Sequence, residues 1–155
     1  MVLASQSPRR QEILRNAGFV FEVRIAGVPE ERHACESPMD YVKRLAEAKA
    51  SAVHRQRDEV VLGADTVVVI EDLVLEKPND MVDAARMLRL LSGREHEVIT
   101  GIAILGGEGF RCVDAAITRV WFTELTETEI GAYVSSGEPL DKAGAYGIQG
   151  LASRF

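Results

Sequence analysis

Ser5, Gln6, Ser7, Pro8, Arg9 and Arg10 are residue types that can hold an anion. Ser7 reads as a helix N-cap, and Pro8 suits the first helical position, where a missing N–H costs nothing. The N–H groups of the first turn are left without helical partners, and two arginine forks beside them add charge with phosphate-matched geometry. The same letters also describe an ordinary capped helix with two solvated arginines. Asp65 is a second candidate, since Gly63 and Ala64 before it let a ligand or metal approach the backbone. A carboxylate at a buried strand end needs a partner, although a lone Asp can equally cap a turn. Lys49 falls inside an apolar helical stripe, between Leu45 and Val53. It is either an amine that snorkels past the stripe edge or an inward ammonium awaiting an anion.

The segment Asp141 to Gly150 reads DKAGAYGIQG. Three glycines among small residues suit a loop whose backbone lies against a ligand, with Lys142 available for phosphate and Gln149 for a base edge. It is not a P-loop, because Lys142 precedes the glycines and no Ser or Thr follows it. Lys77 projects from the end of an apolar run, ahead of Pro78, where a solvated lysine is the ordinary case. Arg94, His96 and Thr100 stand at even spacing and share a face if one strand carries them. A lone His in a strand is more often a structural residue than a ligand, and no second His stands at metal-site spacing.

The elements that must position these groups follow from periodicity. Val2 to Ala4 reads as a short buried strand, and Pro8 to about Ala17 as a helix with Ile13, Leu14 and Ala17 on one face and Gly18 as its stop. Phe19 to Ile25 alternates as a strand does. Ala26 to Glu36 is a loop dense in carboxylates. Ser37 caps a helix to roughly His54, with Asp40 at the capping-box position and Val42, Leu45, Ala46, Ala52 and Val53 as its stripe. Val60 to Leu62 and Val67 to Ile70 are strand runs around Gly63 to Thr66, and Leu73 to Leu75 follows a turn at Glu71 and Asp72. Asp80 caps a helix over Met81 to Leu91. Glu97 to Leu105 supplies a long strand and Cys112 to Phe122 one or two more, and Thr126 with Glu129 boxes a last helix that Gly137 stops. This mixture predicts an α/β fold with a mixed β-sheet and flanking helices, without regular βαβ alternation.

The chain has 155 residues, enough for one domain or two closely joined lobes. A net charge of -6 argues against broad electrostatic binding to nucleic acid, so any anion site must be focused. Cys35 and Cys112 match no metal spacing and read most simply as free thiols in a reducing compartment, with a single disulfide the other option. The start has neither the basic residues nor the apolar core of a signal peptide, and the run Val67 to Ile70 is far too short to span a bilayer. The expected location is the cytoplasm, without membrane partners.

Taken in order, Ser5 to Arg10 (SQSPRR), Glu30 and Glu36, Arg44 to Ala50 (RLAEAKA), Gly63 to Thr66 (GADT), Lys77 with Pro78, Ser92 to Thr100 (SGREHEVIT) and Glu138 to Gly150 (EPLDKAGAYGIQG) resemble the Maf family of nucleoside triphosphate pyrophosphatases. Within it they look like the subgroup acting on dTTP and UTP. The resemblance implies a Maf/ITPase-like fold of two lobes around a central groove, often a homodimer. It implies cleavage between the α and β phosphates to give a nucleoside monophosphate and pyrophosphate, with Mg²⁺ or Mn²⁺. Asp65 matches the acid that activates water, with Glu30 and Lys77 beside it in the catalytic set. Ser7, Arg9, Arg10, Lys49, Thr66, Lys142 and Gln149 match substrate-binding positions, and Asp65, Glu30 and Glu36 match the metal site. Uracil and thymine share one hydrogen-bonding edge, so one pocket can serve both.

The resemblance makes residues 1–155 a single domain, and members usually continue beyond the Gly-rich loop through another strand and helix that this chain is expected to lack. It also carries two cellular expectations. One is house-cleaning of the nucleotide pool; the other is a nucleotide-binding regulator of septum formation with weak or no catalysis. Neutralising a polyphosphate, aligning water and stabilising the leaving pyrophosphate call for the cations and carboxylates found here.

Overall fold

The structure, a computed structural model, describes residues 1–25, 27–54 and 58–155. Ala26, where the carboxylate-rich loop is expected to begin, lies outside them. The elements run β1 (Val2–Ala4), α1 (Pro8–Asn16), β2 (Glu22–Val23), α2 (Pro38–Val53), β3 (Val61–Ile70), β4 (Leu73–Leu75), α3 (Met81–Leu91), β5 (Glu95–Leu105), β6 (Arg111–Trp121) and α4 (Glu127–Ser135), with short 3₁₀ turns among the last residues. The sheet is mixed, as expected. Its strand order is β2-β1-β3-β5-β6, with β4 also beside β3. β1 pairs with β2 and β3 in parallel, whereas β3 and β4 are antiparallel.

The chain forms two compact units, each built from two separated segments. One comprises Met1–Asp65 and Thr100–Ala116, the other Thr66–Ile99 and Ile117–Phe155. In the first, α2 buries Val42, Leu45, Ala46, Ala50 and Val53, and the last three of these cluster with Val2, Ala4, Val61 and Ala103. Gly63 and Gly101 let strand and helix meet backbone to backbone. A Cβ on Gly63 would stand 2.1 Å from the Ala46 carbonyl oxygen, and one on Gly101 would stand 2.5 Å from the Val42 carbonyl. In the second unit, α3 and α4 cover Val68, Ile70 and Leu75 together with Phe122, Tyr146 and Ala152.

Several expectations are corrected. The alternating run from Phe19 to Ile25 forms only the two-residue strand β2, because β1 offers partners at just Val2 and Leu3. Phe19, Val20 and Ile25 are exposed. None of the residues of α1 is buried, so Ile13, Leu14 and Ala17 do not form a core face. Ser7 occupies the N-cap of α1 without a side-chain capping bond; its N–H instead donates to Ser5 Oγ at 3.3 Å. Ala52 is exposed, and Tyr41 and Ala50 complete the stripe of α2 in its place. The two runs around Gly63 to Thr66 are one strand, while over Cys112 to Phe122 the one-strand alternative holds. The caps of α2, α3 and α4 form at Ser37, Asp80 and Thr126 as anticipated. Both cysteines are free thiols. Among the described residues no helix is long and apolar enough to cross a membrane.

Candidate active site

Parallel pairing of Val2, Leu3 and Ala4 with Val61, Leu62 and Gly63 sets the residues that follow β1 beside the next residues of β3. Arg10, one turn into α1, ties them together. Its Nη1 donates to Ser5 Oγ at 3.0 Å and to the Ala64 carbonyl at 2.8 Å. Burial lowers the Arg10 pKa, opposed chiefly by the charge of Asp65; a guanidinium stays charged regardless. Arg9 is half-buried beside it.

Asp65 lies two residues beyond Gly63 and therefore faces the same way, toward α2. Its Oδ1 accepts from Lys49 Nζ at 2.6 Å, and the same ammonium meets Glu30 Oε1 at 2.6 Å. The two readings of Lys49 are thereby resolved in favour of the inward one. The Asp65 side chain is 11% exposed, Lys49 16% and Glu30 44%. Burial raises the Asp65 pKa above its ordinary value, Lys49 and Arg10 oppose that rise, and Glu30 adds to it. A buried carboxylate with a raised pKa and an adjacent cation is suited to taking and returning a proton.

Glu30 reaches Lys49 because its loop is tied to α2. Tyr41, 1% exposed, donates its hydroxyl to the Glu30 carbonyl at 2.9 Å. Arg44 donates from Nη2 to the Glu31 carbonyl at 2.9 Å and grips both carboxylate oxygens of Glu36, at 2.6 and 2.8 Å. Glu36 also accepts from the His33 N–H, and these bonds hold its pKa down to about 2. The Glu36 carboxylate is thus taken up in a clasp that ties the loop to α2. The sequence alone does not point to Tyr41 and Arg44 as the ties of this loop; the one signal it carries is a hydroxyl-bearing residue in an apolar stripe.

The second unit holds the other candidates. Thr66 is half-buried in β3, the next residue after Asp65. Lys77 is exposed just after β4, and the preceding Glu76 carbonyl accepts the Gly144 N–H at 3.0 Å, which sets the Gly-rich segment beside it. Gly144 has φ 67, and a Cβ there would lie 2.6 Å from Val68 Cγ2, so the segment is pressed onto β3. Lys142 Nζ donates to the Glu138 carbonyl at 2.5 Å and to Asp141 Oδ1 at 2.7 Å. It is therefore tethered, not open. Gln149 is exposed within a turn closed by the Gly150 N–H to the Gly147 carbonyl at 3.0 Å. His96 is a core residue, with Nε2 2.7 Å from the Tyr146 hydroxyl and edge contacts to Phe122 and Tyr146. Arg94 lies outside β5 and pairs with Glu71.

Over residues 1–155 the chain matches the family described as Maf-like protein. It belongs to the Maf family. Among Maf relatives, a Koribacter versatilis protein named dTTP/UTP pyrophosphatase is 51% identical over 156 residues, covering 100% of this chain and 80% of that one. A Vibrio cholerae protein of the same name is 51% identical over 157 residues, covering 100% and 83%. The Ham1 protein of Staphylococcus aureus superposes with a TM-score of 0.51 at 15% identity, over 76% of this chain and 69% of that one, a likeness of fold alone. Among the described residues of this Maf chain, no group of three or more His, Cys, Asp or Glu side chains gathers to hold a metal. Asp65 and Glu30 nevertheless converge on one cation, the Lys49 ammonium, and as hard oxygen donors they are the residues that would hold Mg²⁺ or Mn²⁺.

Proposed function

We propose that this chain hydrolyses the α–β phosphoanhydride bond of dTTP and UTP, releasing the nucleoside monophosphate and pyrophosphate. The observation that carries the reading is the buried Asp65 carboxylate paired with Lys49, which also meets the more exposed Glu30, beside an Arg10 bonded to the Ala64 carbonyl, in a chain half identical to proteins named for that reaction. Asp65 takes a proton from water, the resulting oxygen bonds to phosphorus, and the bond to the leaving pyrophosphate breaks. Lys49 holds the Asp65 carboxylate in place. Arg9, Lys77 and Lys142 neutralise phosphate charge, the last by exchanging Asp141 for a phosphate oxygen; Ser7, Arg10 and Thr66 complete the binding set, and Gln149 reads the base edge. A divalent cation on Asp65 and Glu30 would supply charge neutralisation at the phosphate oxygens. The cellular reading that goes with this is removal of unwanted pyrimidine nucleotides in the cytoplasm by a homodimer.

A pyrophosphate-release screen across nucleoside triphosphates, with Mg²⁺, with Mn²⁺ and without metal, tests the proposal. The expected result is metal-dependent turnover of dTTP and UTP over purine nucleotides, with Asp65→Asn lowering kcat by on the order of 10² or more and leaving the fold intact. Near wild-type turnover by that variant would remove Asp65 from the role. Tight dTTP binding with no pyrophosphate from any nucleotide would point instead to a regulator.

A further inference from the structure

Glu138 takes no part in the reaction proposed above, yet its N–H, its carbonyl and both carboxylate oxygens are all hydrogen-bonded. It opens the 3₁₀ turn Glu138–Asp141, where its N–H is held by Ser136 Oγ at 3.2 Å. Its carbonyl accepts from Lys142 Nζ at 2.5 Å. Its carboxylate spans in the other direction. Oε1 accepts from the fully buried Tyr133 hydroxyl at 3.1 Å, and Oε2 accepts from the Leu151 backbone N–H at 3.1 Å. Leu151 directly follows the turn that displays Gln149, so the carboxylate fixes the exit of that turn while the Gly150 N–H to Gly147 carbonyl bond closes it.

Gly150 shows how tight the fit is. A Cβ there would stand 2.0 Å from Glu138 Oε1. The φ of Gly150 is -104°, which any residue can adopt, so backbone freedom does not demand glycine at this position. What demands it is the space taken by the Glu138 carboxylate.

We infer that Glu138 is a positioning residue for base selection: anchored on Tyr133, it clamps the Gly150–Leu151 backbone and so holds Gln149 in the orientation that distinguishes a uracil or thymine edge from cytosine. This rests on the pyrimidine reading above. Uracil presents a carbonyl where cytosine presents an amino group, so a loosely held amide, free to turn either end to the base, discriminates less. The phosphate-facing groups are untouched by that loosening, and the loss therefore falls on binding and selectivity before turnover.

The test measures UTP and CTP in parallel, by equilibrium binding and by kcat and KM for pyrophosphate release, on the full chain. Glu138→Ala is expected to reduce the UTP-over-CTP preference about tenfold, mainly through Kd and KM for UTP, with kcat within about threefold. Glu138→Gln should restore the preference, since its amide oxygen can accept from Leu151 while its amide nitrogen donates to the Tyr133 oxygen. Gly150→Ala, which displaces the carboxylate, should match Glu138→Ala, and the double variant should be no worse than either. Circular dichroism and melting identify any variant that fails to fold, leaving the Gln and Gly150 variants to decide. An unchanged preference in Glu138→Ala, additive losses, or no UTP-over-CTP preference in the wild-type chain overturns the inference. A binding preference that is lost in Glu138→Ala, in a chain that releases no pyrophosphate, upholds it and overturns the hydrolytic reading alone.

Discussion

Two opposed effects meet at the Asp65 carboxyl: burial favours its neutral form, and the Lys49 ammonium at 2.6 Å favours its charged form. Burial prevails, so the pKa rises above 3.8 and activity that needs the carboxylate climbs as pH rises through that higher value. Lys49→Gln removes the opposing charge and leaves Glu30 facing Asp65. The acid limb of a kcat profile is then expected at higher pH, and an unmoved limb would exclude Asp65 as the group it reports. For stability the signs of the two acids differ. An acid with a raised folded pKa loses stability as pH rises through the window above 3.8, whereas Glu36, held to about 2 by Arg44, loses it as pH falls from 4.5 toward 2. The pairing of Lys49 with an anion was half legible, because a lysine in an apolar stripe can snorkel past its edge as readily as it can meet an inward partner. The clasp on Glu36 was not: Arg44 and Glu36 meet only because a loop folds back on α2, and carboxylate-rich composition does not say which acid faces which cation.

Among the elements, α1 and α2 show how far periodicity reaches. Both have apolar residues at helical spacing, but α2 has a continuous stripe that fills the first core, and α1 places Ile13 and Leu14 among arginines and leaves them outside it. Ile13→Ala is therefore expected to change stability by no more than about 0.5 kcal/mol, and Leu45→Ala to cost about 2–5 kcal/mol, both read from denaturant midpoints. Comparable losses would place α1 in the core after all. Strand lengths were less legible than strand identities, since a strand extends only as far as its neighbours do. β2 stops where β1 has nothing more to pair. β3, beside the long β5 and with β1 and β4 against its two ends, runs straight through a GADT segment whose small and acidic residues look like a break.

At the scale of the molecule, each compact unit draws on two distant stretches of chain, which no local pattern reveals, while β3, β5 and β6 each run from one unit into the other. Three strands are therefore common to both units. Unfolding is expected as one transition, with the fluorescence of Trp121, in the second unit, tracing the same curve as far-UV circular dichroism; separated midpoints would mean that the cores melt independently. Gly63 acts within the first unit. It has no side chain to offer a substrate, yet its contact with the Ala46 carbonyl sets how deeply α2 sits on β3, and Lys49 rides on that helix within reach of Asp65. A methyl group there would act as a wedge that levers the ammonium away from its carboxylate. In a saturation library selected for turnover, Gly63 would score with the chemically active positions, so the intolerant set records the fulcrum as faithfully as the tool it supports.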